Sequence, residues 1–107
     1  MSSDAWWTLV QLLVIAPVLE EILWRAGLHE TLLQRCRWPA ARINLAVAFT
    51  FALAHGLRTP GSLWAWLTLL PAGYIGLLYQ RRRQLLPCIV AHAAMNALWL
   101  GVTPSFP

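Results

Sequence analysis

The chain has 107 residues, of which 59% are hydrophobic and only 11% charged, and its mean hydropathy is +0.57. Soluble domains carry roughly 25% charged residues, so this composition excludes a surface built to face water and makes lipid the expected solvent. The net charge of +4 rests on arginine alone, with no lysine; the arginines sit between apolar stretches rather than on a polar body, which argues against a nucleic-acid partner.

The pattern predicts an all-α integral membrane bundle of four transmembrane helices, one unit over 1–107 with no separate soluble domain. The first helix runs from about Ala5 to Leu33, long enough to span. Its apolar part, AWWTLVQLLVIAPVL, meets two carboxylates at Glu20 and Glu21. The opening MSSDAWW carries an acid where a signal peptide carries positive charge, and no convincing cleavage site follows, so this helix is expected in the mature protein. The second helix runs from about Pro39 to Gly56, with Pro39 suited to a first helical turn. Gly56 to Gly61, holding Arg58 and Pro60, reads as a turn. The third helix runs from about Ser62 to Tyr79, in a stretch free of charge. The fourth starts near Pro87 and reaches about Leu100, and VTPSFP reads as a short frayed end. Pro17 and Pro71 are expected to kink their helices, and Gly73 and Gly76 to allow close helix packing.

Arginine placement predicts topology. Arg35, Arg37 and Arg42 lie between helices one and two, and Arg81, Arg82 and Arg83 between helices three and four; only Arg58 lies between helices two and three. The positive-inside rule places the arginine-rich loops in the cytoplasm and both termini outside, in a multi-pass protein of the cell membrane. Trp6, Trp7, Trp64, Trp66 and Trp99 then fall near the outer interface, and Trp38 and Tyr79 near the inner one. Cys36 and Cys88 follow no metal or redox spacing and read as free thiols.

Ionisable residues inside membrane helices are expensive and face the bundle interior. Here they are Glu20, Glu21, Arg25, His55 and His92, with Asn96 and Asn44 as polar company. Glu21 and Arg25 share a face by their spacing of four, as do Phe51 and His55, and His92 and Asn96. At ~1.5 Å per residue, Glu20 lies about 22 Å from Arg35, His55 about 20 Å from Arg42 and Asn96 about 20 Å from Arg83. Three helices thus bring polar groups to a similar depth, where they can converge on one cavity.

Two adjacent carboxylates in a low dielectric cannot both ionise cheaply. Arg25 can neutralise Glu21, which leaves Glu20 as a general base. His55 could share the activation of a water with it, and His92 and Asn96 offer donors to a developing oxyanion. That is equipment for hydrolysing an amide. Glu20, His55 and His92 are also the residue types of a catalytic zinc shell, although no H-e-x-x-H spacing is present. Taken singly, each group has a plainer role: Glu21 with Arg25 would hold helix one in the bundle, His55 would be a satisfied core group, and His92 and Asn96 would bond helix four to its neighbours. Asn44 would serve helix packing, and His29 would lie at the inner interface.

Three segments carry a family resemblance. EEILWR, Glu20 to Arg25, fits Glu-Glu-x-x-x-Arg; FALAH, Phe51 to His55, fits Phe-x-x-x-His; and HAAMN, His92 to Asn96, fits His-x-x-x-Asn. In this order in membrane segments they resemble the CPBP family, which includes type II CAAX prenyl endopeptidases and bacteriocin-processing or self-immunity membrane proteins. The segment PAGYIGLLYQRRRQLLPCIVAHAAMN is also similar to that family's run into its last motif, so the resemblance covers about Pro17 to Leu98. It implies an intramembrane endopeptidase, a hydrolase in which Glu20 is the catalytic glutamate and His55 its partner in activating water. His92 and Asn96 would be the oxyanion-stabilising pair, and Glu21 and Arg25 supporting members. The family has been described both as metalloproteases and as glutamate-dependent proteases, which leaves a divalent metal such as zinc open. Its members often carry further helices around this core, which implies a homo-oligomer or a partner membrane protein to seal the cavity.

The expected partners are therefore the lipid bilayer and a membrane-associated peptide or protein substrate. The rival reading is a non-catalytic binding or immunity protein that uses the same polar network to hold its shape. A haem or metal carrier using His55 and His92 as ligands leaves Glu20 and Glu21 unexplained.

Overall fold

The computed structural model describes residues 2–102; of the frayed end expected over VTPSFP, Val102 is still helical and residues 103–107 lie outside the described residues. Ser2 caps the first helix by accepting the Ala5 N–H at 3.1 Å. Helix α1 then continues without a break over Ser3–Arg35. It stops where Cys36 turns extended and Trp38 is held out of helical geometry by Pro39. Helix α2 spans Ala40–Arg58, with Pro39 as its cap, and ends where the Thr59 hydroxyl donates to the His55 carbonyl at 3.0 Å, just before Pro60. Helix α4 spans Leu85–Val102.

The third helix is not the unbroken rod expected from its apolar run. Helix α3 consists of Leu63–Leu67 and Leu69–Arg82, joined at Thr68. Pro71 cannot donate to the preceding turn, and the Thr68 hydroxyl turns back to the Ala65 carbonyl at 2.6 Å. Three helices, α1, α2 and α4, are each long and apolar enough to cross a membrane, and α3 is the fourth member of the bundle.

The bundle is inverted relative to a water-soluble protein. Glu21, Arg25 and His29 are fully buried, while Leu57 is 73% and Leu70 75% exposed. Such an apolar exterior suits acyl chains, and the charged interior must pair with itself. His29 thus sits inside the bundle rather than at the interface. Tyr79, also expected at the interface, is buried with its hydroxyl donating to Glu30 Oε1 at 2.5 Å. Trp6, Trp7, Trp38 and Trp64 are exposed.

Helices α2 and α3 approach closely at one point. A Cβ on Gly76 would overlap the Asn44 amide oxygen, whereas a Cβ on Gly73 would meet nothing within 4 Å. Gly76 is therefore a packing glycine and Gly73 is not; Gly73 contributes its carbonyl, which accepts from Asn44 Nδ2 at 3.0 Å. At the far end of α3, Arg83 adopts a left-handed φ of 51° and caps the helix. Its guanidinium grips Glu30 of α1, so both arginine-rich loops lie at the same end of the molecule.

Candidate active site

Helix α1 departs from α-geometry twice, and both departures shape the interior. Gln11–Ile15 and Ile22–His29 are π-helical, a geometry that recurs at functional sites. In the first, the Ala16 N–H turns back to the Gln11 carbonyl, and Pro17 has no N–H to give. The Leu12 carbonyl is left over, and Asn96 Nδ2 of α4 donates to it at 2.7 Å. The kink expected at Pro17 is thus a backbone opening that α4 fills. One hydrogen of the Asn96 amide is used there and the second remains for the cavity, which Asn96 lines.

Glu21, immediately before the second π segment, stacks with Arg25 and His29 within it. Arg25 Nε donates to Glu21 Oε1 at 2.9 Å, Nη2 to the Ala72 carbonyl of α3 at 3.0 Å, and Nη1 lies 3.3 Å from His29 Nδ1. A buried guanidinium with one carboxylate and further acceptors is the arrangement that survives in low dielectric. The spacing of four that joins Glu21 to Arg25 extends to His29, and that periodicity was the available sign that His29 turns inward.

His92 of α4 lies between the two carboxylates. Its Nδ1 donates to Glu21 Oε2 at 2.7 Å, and its Nε2 lies 3.2 Å from Glu20 Oε2. Unprotonated imidazole nitrogen and carboxylate oxygen are both acceptors, so the second approach requires a proton between them. With that proton, two carboxylates, one guanidinium and one imidazole sum to zero charge, which is what a buried ionic group needs.

Among the described residues, Glu20 is held on that side only. Its other oxygen, Oε1, has Arg58 Nη1 at 4.0 Å, and its side chain is 19% exposed toward a cavity of about 690 Å³. His55 of α2 lines the same cavity. His55 Nδ1 donates to the Phe51 carbonyl at 2.9 Å, so in the neutral ring the lone pair is on Nε2. The Phe51 ring separates the two histidines, with its centroid 4.4 Å from that of His55 and 6.0 Å from that of His92.

All six residues singled out from the sequence, Glu20, Glu21, Arg25, His55, His92 and Asn96, line this one cavity. The structure does not join Glu20, His55 and His92 as a metal shell. Both His92 nitrogens face carboxylates, and among the described residues no three His, Cys, Asp or Glu side chains are placed to hold an ion. The same occupation of His92 argues against a haem ligand there. Arg58 and Thr68 also line the cavity and lie outside the three motif segments. A lone arginine at the end otherwise free of positive charge was the available signal for Arg58.

The family model for Type II CAAX prenyl endopeptidase Rce1-like proteins matches residues 2–98, a stretch that contains the three motif segments. No curated protein and no solved structure matches the chain.

Proposed function

Since this chain belongs to the Type II CAAX prenyl endopeptidase Rce1-like family and is a multi-pass membrane protein, we propose that it is an intramembrane endopeptidase of CAAX type. It hydrolyses a peptide bond of a membrane-associated peptide or protein, using a water activated by Glu20 and His55. The observation that carries the reading is that Glu20 Oε1 and His55, from different helices, face one cavity, and among the described residues neither the oxygen nor Nε2 has a hydrogen-bond partner.

Water bound between Glu20 Oε1 and His55 Nε2 gives its proton to the carboxylate as it attacks the scissile carbonyl. The second Asn96 amide hydrogen donates to the oxygen as charge develops on it. Once Glu20 is protonated, its attraction for the His92 Nε2–H falls. That N–H, still anchored through Nδ1 to Glu21, is then free to donate to the same oxygen. Collapse of the tetrahedral intermediate transfers the proton from Glu20 to the leaving amine, so the products are a carboxyl and an amino terminus. Glu21 and Arg25 set the position and tautomer of His92. The chemistry runs on carboxylate, imidazole and amide groups, with no metal ligand required.

Purified protein should cleave a membrane-associated peptide, and Glu20→Gln should lower cleavage about 10²–10⁴-fold while the helices remain folded. Equal cleavage by both proteins removes Glu20 from the mechanism. A folded, inactive Glu20→Gln protein with full biological function supports the non-catalytic binding reading instead.

We also propose that the arginine-rich loops face the cytoplasm and both termini face outward in the cell membrane. The contact of Glu30 with Arg83 supports this by gathering both loops at one end. Arg58, Ser62 and Trp64, which line the cavity, then lie on the outward side. The native cysteines supply the test, because Cys88 is buried and Cys36 lies in the first loop. Cys36 should resist a membrane-impermeant maleimide in intact cells and label after permeabilisation; labelling in intact cells reverses the orientation.

A further inference from the structure

Arg58 is the last residue of α2, three positions beyond His55, and its side chain is 71% exposed while lining the cavity. Glu20 approaches it at 4.0 Å, too far for a hydrogen bond. The other cation of the cavity, Arg25, is taken up by Glu21, His29 and the Ala72 carbonyl. Because Glu20, Glu21, Arg25 and His92 form a neutral group through their shared proton, Arg58 adds one uncompensated positive charge at the rim. The rim beside it is polar at Thr59 and Ser62, while Leu12, Leu67 and Met95 make the walls apolar. An arginine that merely served the lipid headgroups would reach away from the site, whereas this one turns toward the Glu20 carboxylate.

We infer that Arg58 binds a carboxylate of the peptide substrate and thereby fixes the distance between that carboxylate and the bond that is cut. The inference rests on the hydrolytic reading above. A guanidinium presents a planar fork that matches a carboxylate with two parallel N–H···O bonds. A carboxylate seated there lies next to Glu20, with the guanidinium screening the two negative groups from each other. Extended chain covers roughly 3.3–3.6 Å per residue, so the scissile carbonyl over Glu20 falls within the first few residues of the bound carboxylate. Two sources share this chemistry: the free C-terminus of the substrate, or an Asp or Glu side chain near the cut.

The test compares three matched apolar peptides: one with a free C-terminus, one amidated, and one amidated with a Glu among its last three residues. Binding is read by anisotropy on the full chain carrying Glu20→Gln, and cleavage as kcat/KM on the wild type. The free acid should bind about tenfold more tightly than the amide, the order expected for a charge-assisted hydrogen bond. The same preference should appear in wild-type KM. Arg58→Gln should bring the ratio close to one, and Arg58→Lys should keep part of it. Rescue of the amide by the internal Glu identifies a side chain as the source, and failure to rescue identifies the C-terminus. Equal binding of acid and amide, or a preference that persists in Arg58→Gln, overturns the inference. If the binding preference holds but the wild type cleaves none of the peptides, the carboxylate site stands and the hydrolytic reading fails.

Discussion

Helix α1 carries two carboxylates ten residues apart, Glu20 and Glu30, and they are treated in opposite ways. Glu30 is saturated. Its Oε1 accepts from the Tyr79 hydroxyl at 2.5 Å and Arg83 Nε at 2.9 Å, and its Oε2 from Gln34 at 2.9 Å and from Arg83 Nη2. Among the described residues Glu20 has a single close partner, His92, and it turns its second oxygen into a cavity. A carboxylate whose lone pairs are all used can only hold helices together. One with an oxygen to spare can take a proton from water. The difference lies in the neighbours that α2, α3 and α4 supply, since both residues are glutamates on the same helix.

The largest effect should come from exchanging the two roles by substitution. Glu20→Gln should lower cleavage about 10²–10⁴-fold, the usual contribution of a general base, with little change in thermal midpoint in detergent. Glu30→Gln should do the reverse, lowering the midpoint and sparing catalysis. If both variants lose activity in parallel with stability, the two carboxylates do not differ in kind.

Next in size is Arg25→Met, which leaves Glu21 buried without its cation. Breaking a buried pair from one side costs about 3–5 kcal/mol, enough to empty the folded state of a small bundle. Thermal melting or yield of monodisperse protein reads this. Glu21→Gln combined with Arg25→Met should recover most of the loss in stability but not in activity, because a neutral amide oxygen holds the His92 Nδ1–H less strongly than a carboxylate does. A stable, active double variant would show that the pair contributes nothing to positioning His92.

Much of this arrangement was legible in the sequence because lipid makes polar residues costly. The positions of Glu20, Glu21, Arg25, His55, His92 and Asn96 announced an interior site, and a spacing of four put partners on common faces. The four helices were equally readable from apolar runs, arginines and prolines, although α2 runs on through Arg58 into the stretch expected to turn at Gly56. The long-range details were not. His29 lies near a helix end, and only the approach of Arg25, Tyr79 and Gln80 makes its place an interior one. At the Gln11–Ile15 turn of α1, Pro17 leaves the Leu12 carbonyl unfilled and Asn96 of α4 takes it, a pairing that no local propensity encodes. Thr68 breaks α3 inside a stretch whose hydropathy reads as continuous. Arg58 looked like a loop residue because its relation to Glu20 exists only once α1 and α2 are packed.

Gly76 sharpens the comparison, since it lies between the two ends. Gly76→Ala drives a methyl group into the Asn44 amide and to within 3.2 Å of where His29 Cε1 sits. Overpacking of this kind costs about 1–3 kcal/mol. Gly73→Ala, three residues away with open space at its Cβ, is the control and should leave the melting midpoint close to that of the wild type. Equal losses in the two variants would mean that α2 and α3 do not approach at Gly76.

The smallest effect belongs to the saturated end. Arg83→Ala removes two donors from Glu30 and the contact of the guanidinium with the Tyr79 ring. Yet half of the Arg83 side chain is exposed, so solvent replaces much of what is lost, and exposed ion pairs contribute about 0–1 kcal/mol. The residue also occupies a left-handed φ, which costs any side chain other than glycine. Arg83→Gly therefore relieves backbone strain while deleting the same ion pair, and should be no less stable than Arg83→Ala. Both should cleave substrate at the wild-type rate, because Tyr79 and Gln34 still hold Glu30. If Arg83→Ala instead reduced cleavage as strongly as Glu20→Gln, the two carboxylates would be coupled through α1, and the division between a strut and a base would fail.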